Sequence, residues 1–223
     1  MIELTEKIHP RHTVLIVVDM QNDYCHPEGA LAHNGTDVSS TQAMLPRLVA
    51  LIEAARQAGT KIIFIRTTHD EWTDSPARKE LPRLRSMPVC RTGTWGSEFY
   101  GVSPGPDDYV ITKHRYSAFL DTSLDLVLRS VGARTLIVTG VSTHTCVDCT
   151  ARDGFQRDYF IVVPDDCTAT YSPRVQKATL ANLERHYGDV TTSNEIVGAW
   201  AQVSRVAKHT HQAKASDRRS SSP

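Results

Sequence analysis

Short apolar runs alternate with longer amphipathic segments along most of the chain. Each run is four to six residues long and most are rich in β-branched side chains, as is typical of buried strands. Because strands buried on both faces alternate here with helices, the pattern predicts an α/β fold. The expected architecture is a three-layer α/β/α sandwich with a mostly parallel central sheet. The predicted strands are 13–18, 61–66, 109–112, 135–139 and 159–163, with a shorter one at 190–192.

The segments between these strands carry apolar residues at helical spacing. Residues 41–58 repeat apolar positions every three or four residues and stop at Gly59, a residue type that ends many helices. Asp121 or Thr122 is the expected N-cap of the helix that precedes the fourth strand. The other predicted helices are 121–131, 145–157, 173–186 and 194–206.

Two segments fall outside this alternation. Residues 68–108 contain five prolines and little periodicity, and they are too long for a plain connection. We expect a partly ordered excursion over the functional site, and the pattern leaves open whether it acts as a lid. Residues 208–223 are polar and are predicted to be disordered, which leaves a single domain over residues 1–207.

Composition narrows the range of partners. The 223 residues include 25 basic and 25 acidic side chains, so the formal net charge is zero. Proteins that bind nucleic acids or membrane surfaces usually carry a basic excess, so neither partner is expected here, and a small molecule is. No apolar run approaches the ~20 residues of a membrane span. Five cysteines form an odd, sparse set, which favours free thiols and a cytoplasmic location.

Reactive side chains follow three of the predicted strands. Ligands of parallel α/β sheets bind beyond the carboxyl ends of the strands, where Asp19, Lys113 and Cys146 are expected. Lys113 and a helix start would favour the Cys146 thiolate, and Asp19 can carry a proton to a leaving nitrogen. Backbone N–H groups at Ser142 and Cys146 are the predicted oxyanion hole. Taken singly, these residues have structural explanations, namely helix capping, surface charge and packing; their combination indicates catalysis.

Three blocks resemble those of the isochorismatase-like cysteine hydrolase superfamily. They are VVDMQNDY at 17–24, ITKHRYSAF at 111–119 and the segment 140–169, which begins GVSTHTCVDC. The resemblance runs from about residue 12 to residue 200. It implies that Asp19, Lys113 and Cys146 form a catalytic triad, that the Val141–Ser142 peptide is cis, and that the protein is a homo-oligomer. The resulting hypothesis is a hydrolase that cleaves a small amide or ureido C–N bond through a thioester on Cys146.

The substrate branch rests on finer details. A cysteine at position 146 argues against an isochorismatase. Thr68-His69-Asp70 lacks the second histidine of a nicotinamidase metal site, so no metal and no cofactor are expected. The segments 150–160 and 93–95 look most like those of ureidoacrylate amidohydrolases and related carbamoyl or ureido hydrolases. A nicotinamidase-type or other amide hydrolase of the same superfamily remains the alternative.

Residues near the triad are candidates for substrate binding. The aromatic ones would suit a small planar substrate, although core or lid packing explains them equally well. A different class of function also stays open, because Cys146 and Cys149 form a CxxC motif. That class comprises thiol-redox proteins and non-catalytic ligand-binding proteins. The candidate substrate-binding residues are Gln21, Asn22, Tyr24, Trp95, Tyr116, Ser117, Phe119 and His144.

Overall fold

A seven-stranded sheet forms the centre of the computed structural model, which describes residues 2–81 and 87–205. The strand order is β3-β2-β1-β4-β5-β7, with β6 beside the end of β4, and every pairing is parallel. The predicted fold class is therefore confirmed. The strands are β1 Thr13–Val18, β2 Lys61–Thr67, β3 Tyr109–Lys113, β4 Thr135–Val141, β5 Phe160–Pro164, β6 Thr168–Ala169 and β7 Asp189–Thr191.

Helices cover both faces of the sheet. The predicted tail at 208–223 and the last residue of the helix predicted over 194–206 lie outside the described residues. The helices are α1 Leu4–Lys7, α2 Asn22–Cys25, α3 Ala30–His33, α4 Ser39–Ala58, α5 Pro76–Glu80, α6 Leu124–Ser130, α7 Asp148–Phe155, α8 Pro173–His186 and α9 193–205.

The core is divided in two by the sheet. Successive side chains of a strand point to opposite faces, so Leu15 and Val17 join the core under α4 and α9, whereas Ile16 and Val18 join the core under α6, α7 and α8. Trp200 of α9 is buried, and its Nε1 donates to the Ile8 carbonyl at 2.9 Å. Both faces of the central strands are therefore buried against helices, which explains their continuous apolar sequence.

Two predicted helix starts differ from the structure. Helix α6 begins at Leu124 with Ser123 as its N-cap, rather than near Asp121 or Thr122. Asp121 has φ +56, which is outside the range of a helix cap, and Thr122 Oγ1 instead accepts from the Leu124 amide at 3.1 Å. The helix predicted over 145–157 is divided into a π-helical turn, Thr143–Val147, and α7.

Gly140 allows the ends of β1 and β4 to lie against each other. Its φ is +97, and a Cβ at this position would lie 2.1 Å from the Val18 carbonyl oxygen. Only glycine fits such a close backbone approach. The residues after these two strands, Asp19 and the turn that carries Cys146, are consequently brought to the same edge of the sheet.

Candidate active site

The Lys113 ammonium joins the three predicted catalytic side chains. Its Nζ lies 2.7 Å from Asp19 Oδ2 and 3.3 Å from Cys146 Sγ. It also lies 2.6 Å from Thr67 Oγ1 and 3.0 Å from the Arg115 carbonyl oxygen. The Lys113 and Asp19 side chains are completely buried. Breaking such a buried ion pair is costly, because the remaining charge is left without a counter-charge.

Strand register produces this arrangement. Lys113 is the last residue of β3 and pairs with Thr67, the last residue of β2. Asp19 follows β1 directly and adopts φ +50, a left-handed conformation that aspartate tolerates better than most residues. The Thr67 hydroxyl donates to Asp19 Oδ1 at 3.0 Å, so this threonine orients the carboxylate that faces Lys113. No feature of the sequence pointed to Thr67, because threonine is common at any strand position.

Burial, rather than the nearby cation, dominates the acidity of Cys146. Desolvation raises the pKa of the thiol to about 12, although Lys113 acts to lower it, and the charge of Asp19 and a hydrogen bond to Asp19 raise it further. Burial thus opposes the thiolate that Lys113 and the helix start were expected to favour. For Lys113, burial alone would lower the pKa, but attraction to Asp19 and Cys146 raises it overall. The ammonium accordingly remains charged.

Cys146 lies in the π-helical turn that follows β4. The Val141–Ser142 peptide bond is cis, which confirms that expectation. The Ser142 carbonyl accepts from the Thr145 amide at 3.0 Å, and the Ser142 and Thr145 hydroxyls lie 2.6 Å apart. These contacts fix the loop between the cis bond and the nucleophile. The predicted oxyanion-hole amides of Ser142 and Cys146 belong to this loop.

A cavity of about 550 Å³ opens onto the cysteine. Of the eight suggested substrate-binding residues, Tyr24, Tyr116 and His144 line it. His144 Nδ1 lies 2.5 Å from the hydroxyl oxygen of Thr170. Asp19, Ser142 and Cys146 also line the cavity, whereas Lys113 is fully buried and is not part of the lining.

Gln21 and Asn22 lie outside the cavity lining, and their side chains form hydrogen bonds with backbone groups instead. The buried Gln21 amide donates to the carbonyls of Thr67 and Ser97, both at 2.8 Å, and accepts from the Thr67 amide at 2.8 Å. Asn22 Nδ2 donates to the Trp95 carbonyl at 2.8 Å. Both side chains thus tie the turn after β1 to the segment around Trp95.

Ser117, Phe119 and Trp95 also lie outside the cavity lining. The Ser117 hydroxyl accepts from the Phe119 amide at 3.2 Å, and the Phe119 ring is buried in the core, stacked on Tyr159. Trp95 is about half exposed and packs edge-to-face on His26. Phe119 therefore packs in the core, whereas Trp95 lies at the surface outside the cavity lining.

The excursion at 68–108 supplies one wall of the cavity. Asp74 links two parts of this excursion. Its carboxylate contacts Arg78 Nε at 3.2 Å and Arg91 Nη1 at 2.5 Å. Burial alone would raise the pKa of Asp74, but these arginines lower it overall. His69 Nδ1 lies 3.5 Å from Asp74 without a hydrogen bond to a described residue, and burial lowers the pKa of His69 to about 3. His69 is consequently neutral.

Several cavity-lining residues carried no sequence signal. The uncharged ones that the pattern did not single out include Leu31, Met87, Val89 and Tyr171. Across residues 2–81 and 87–205, no group of three or more His, Cys, Asp or Glu side chains is placed to hold a metal ion. Within the same ranges, no helix combines the length and apolarity needed to cross a bilayer.

The fold and the site together indicate one class of protein, a parallel α/β sandwich with Asp19, Lys113 and Cys146 at one edge of the sheet. The Isochorismatase domain model matches residues 13–195, so the chain is a member of the isochorismatase family. Ureidoacrylate amidohydrolase RutB of Caulobacter vibrioides is 36% identical over 213 residues, which cover 88% of this chain and 94% of that protein. Ureidoacrylate amidohydrolase RutB of Enterobacter sp. strain 638 is 40% identical over 206 residues, with coverages of 85% and 90%.

The solved structures agree with this assignment. A cysteine hydrolase from Pseudomonas syringae pv. phaseolicola superimposes with a TM-score of 0.79 at 30% identity. The match covers 88% of this chain and 95% of that one. The chain is thus an isochorismatase-like protein over nearly all of its described length.

Proposed function

We propose that this chain is an amidohydrolase that cleaves a non-peptide C–N bond of a small ureido or amide substrate. The observation that carries the proposal is the Lys113 ammonium, placed between Asp19 and Cys146 beside the cavity. The ureidoacrylate amidohydrolases similar to this chain support the ureido class. A cavity of about 550 Å³ suits a small molecule, being within the range of ligand pockets.

The first half of the reaction begins from the protonated thiol. As Sγ attacks the carbonyl carbon, the thiol proton moves to the Asp19 carboxylate and the carbonyl oxygen becomes an oxyanion. The Lys113 ammonium, 3.3 Å from Sγ, stabilises the negative charge that the sulfur acquires while it loses the proton. The amides of Ser142 and Cys146 receive the oxyanion. Asp19 then returns its proton to the leaving nitrogen as the C–N bond breaks, which leaves a thioester.

The second half uses the same groups in reverse. Water attacks the thioester while Asp19 takes its proton. Collapse of the second tetrahedral intermediate breaks the C–S bond, and Asp19 gives the proton back to the sulfur. Each cycle therefore ends with the protonated Cys146 with which it began.

The test is release of ammonia from 3-ureidoacrylate, N-carbamoyl amino acids, biuret and nicotinamide. Cys146→Ala is expected to lose all detectable turnover, because no other side chain can form the thioester. Cys149→Ala is the matched control, since Cys149 lies three residues further along and is only half-buried. It should retain the wild-type rate, whereas a thiol-redox protein would need both sulfurs. Wild-type rates in Cys146→Ala would refute the proposal.

Two further properties belong to this proposal. All five cysteines are free, which suits a reducing cytoplasm. We also expect a homo-oligomer, as the resemblance to the superfamily implied. Light scattering on the purified protein decides between a monomer and a larger assembly.

A further inference from the structure

The charges of the cavity do not balance. Among the described lining residues, Asp19 carries the only carboxylate, and Lys113 beneath it already neutralises that charge. Two arginines, Arg78 and Arg115, also line the cavity. An excess of positive charge in a partly enclosed space favours a substrate that carries a negative group.

The two arginines differ in how far they are already engaged. Arg78 contacts Asp74, a carboxylate that it shares with Arg91. Arg115 has no carboxylate within ion-pair distance in the described part of the chain. Its Nη1 donates to the carbonyls of Thr73 and His114, at 2.9 and 2.8 Å. These bonds fix the position of the guanidinium while leaving its charge unmatched.

The remaining donors of Arg115 have the geometry that carboxylates need. Nη1 supplies two of the five N–H groups of the guanidinium. The Nε and Nη2 groups make no hydrogen bond with another described residue. These two nitrogens form the planar edge that binds a carboxylate with two parallel hydrogen bonds.

The backbone places Arg115 beside the Lys113 ammonium. Arg115 follows β3 by two residues, and its carbonyl oxygen accepts from Lys113 Nζ at 3.0 Å. The same Nζ contacts the nucleophile Cys146. The loop that carries Arg115 is therefore hydrogen-bonded directly to the Lys113 ammonium, and Arg115 and Cys146 line the same cavity.

We propose that Arg115 binds a carboxylate of the substrate, at the end remote from the scissile C–N bond. The inference rests on the proposed function, which it narrows to ureido or carbamoyl acids. Neutral amides and ureas of equal size are bound less tightly because they leave the guanidinium unpaired. Arg115 is thus a specificity-determining residue and takes no part in bond cleavage.

The experiment measures binding in the inert Cys146→Ala background, so that it does not depend on turnover. Isothermal titration compares 3-ureidoacrylate with its neutral methyl ester. Adding Arg115→Gln is expected to weaken binding of the acid by about 10- to 100-fold, the effect of losing charge-assisted hydrogen bonds, and to leave the ester nearly unchanged. Arg115→Lys retains the charge without the planar edge and should restore part of the loss.

Arg129→Gln is the matched charge control, because the Arg129 side chain is 71% exposed and lies outside the cavity. Equal weakening of acid and ester by Arg115→Gln would show that the residue only braces its loop, and would overturn the inference. Loss of the acid preference in Arg78→Gln with its retention in Arg115→Gln would overturn it as well. Wild-type turnover is measured separately: acid-selective binding without ammonia release would refute the proposed function alone.

Discussion

Replacement of Lys113 by methionine tests whether the buried ion pair is as enclosed as the structure indicates. Methionine approximates the length of the lysine side chain but removes the ammonium. Asp19 would then be a completely buried carboxylate left with two uncharged partners, the Thr67 hydroxyl and the Cys146 thiol. A completely buried carboxylate that has lost its counter-charge is strongly destabilising, because burial removes most of its solvation and no cation replaces the ammonium.

The size of the effect follows from this burial. Removing one partner of a buried ion pair costs about 3–5 kcal/mol, a large part of the roughly 5–15 kcal/mol that stabilises a typical domain. Removing both charges lowers the free energy of unfolding much less, because no unpaired buried charge remains. The double variant Lys113→Met/Asp19→Asn is therefore expected to recover most of the loss, to within about 2 kcal/mol of wild type, and to remain inactive.

Urea denaturation provides the measurement. Trp200 is buried, so its fluorescence reports unfolding, and the change in midpoint at constant slope gives the change in the free energy of unfolding. The single variant Asp19→Asn completes the thermodynamic cycle. A Lys113→Met protein with the wild-type midpoint would refute the reasoning. So would a double variant that is no more stable than Lys113→Met.

Three further predictions concern protonation. Because burial raises the pKa of Cys146 to about 12, alkylation by iodoacetamide should be slower at pH 7 than for free cysteine and should still increase above pH 10; a plateau near neutrality would contradict this. The pKa of Cys167 is also raised to about 12, so the unfolded thiol ionises first and stability falls from about pH 9 upwards. Cys167→Ala should reduce the loss between pH 8 and pH 10 by about 1 kcal/mol, as measured by urea denaturation. His69 has a pKa lowered to about 3, so its stabilisation is present above pH 6.5 and is lost on acidification. His69→Gln should therefore lose about 2 kcal/mol less than wild type between pH 7 and pH 5, and equal losses would exclude His69 as the cause.

The hydrophobic pattern predicted most of the sheet, because buried parallel strands have a continuous apolar sequence. It placed strand ends less well. The third strand was predicted to end at Thr112, and the structure extends it to Lys113. The two-residue strand β6 was missed, since two residues carry no period. The catalytic candidates were nevertheless found, because residues at or after the ends of neighbouring parallel strands meet at one edge.

The rest of the site depends on contacts that are distant in sequence. Gln21 lies two residues after Asp19, but its amide is engaged by Thr67 and Ser97, which are 46 and 76 residues away. Arg78 comes from the excursion, where no periodicity indicated which side chains face the cavity. The protonation state of Cys146 was also hidden, because desolvation depends on everything packed around the sulfur.

The raised pKa of Cys146 also bears on how the protein withstands oxidants. Peroxides attack thiolates, and the first product, sulfenic acid, forms where a cysteine is both ionised and exposed. Burial raises the pKa of Cys146 and leaves it only 7% exposed, so both conditions are disfavoured. Peroxide should therefore inactivate the protein more slowly than it oxidises free cysteine at the same pH. The burial that delays ionisation until substrate is attacked thus also preserves the sulfur between turnovers.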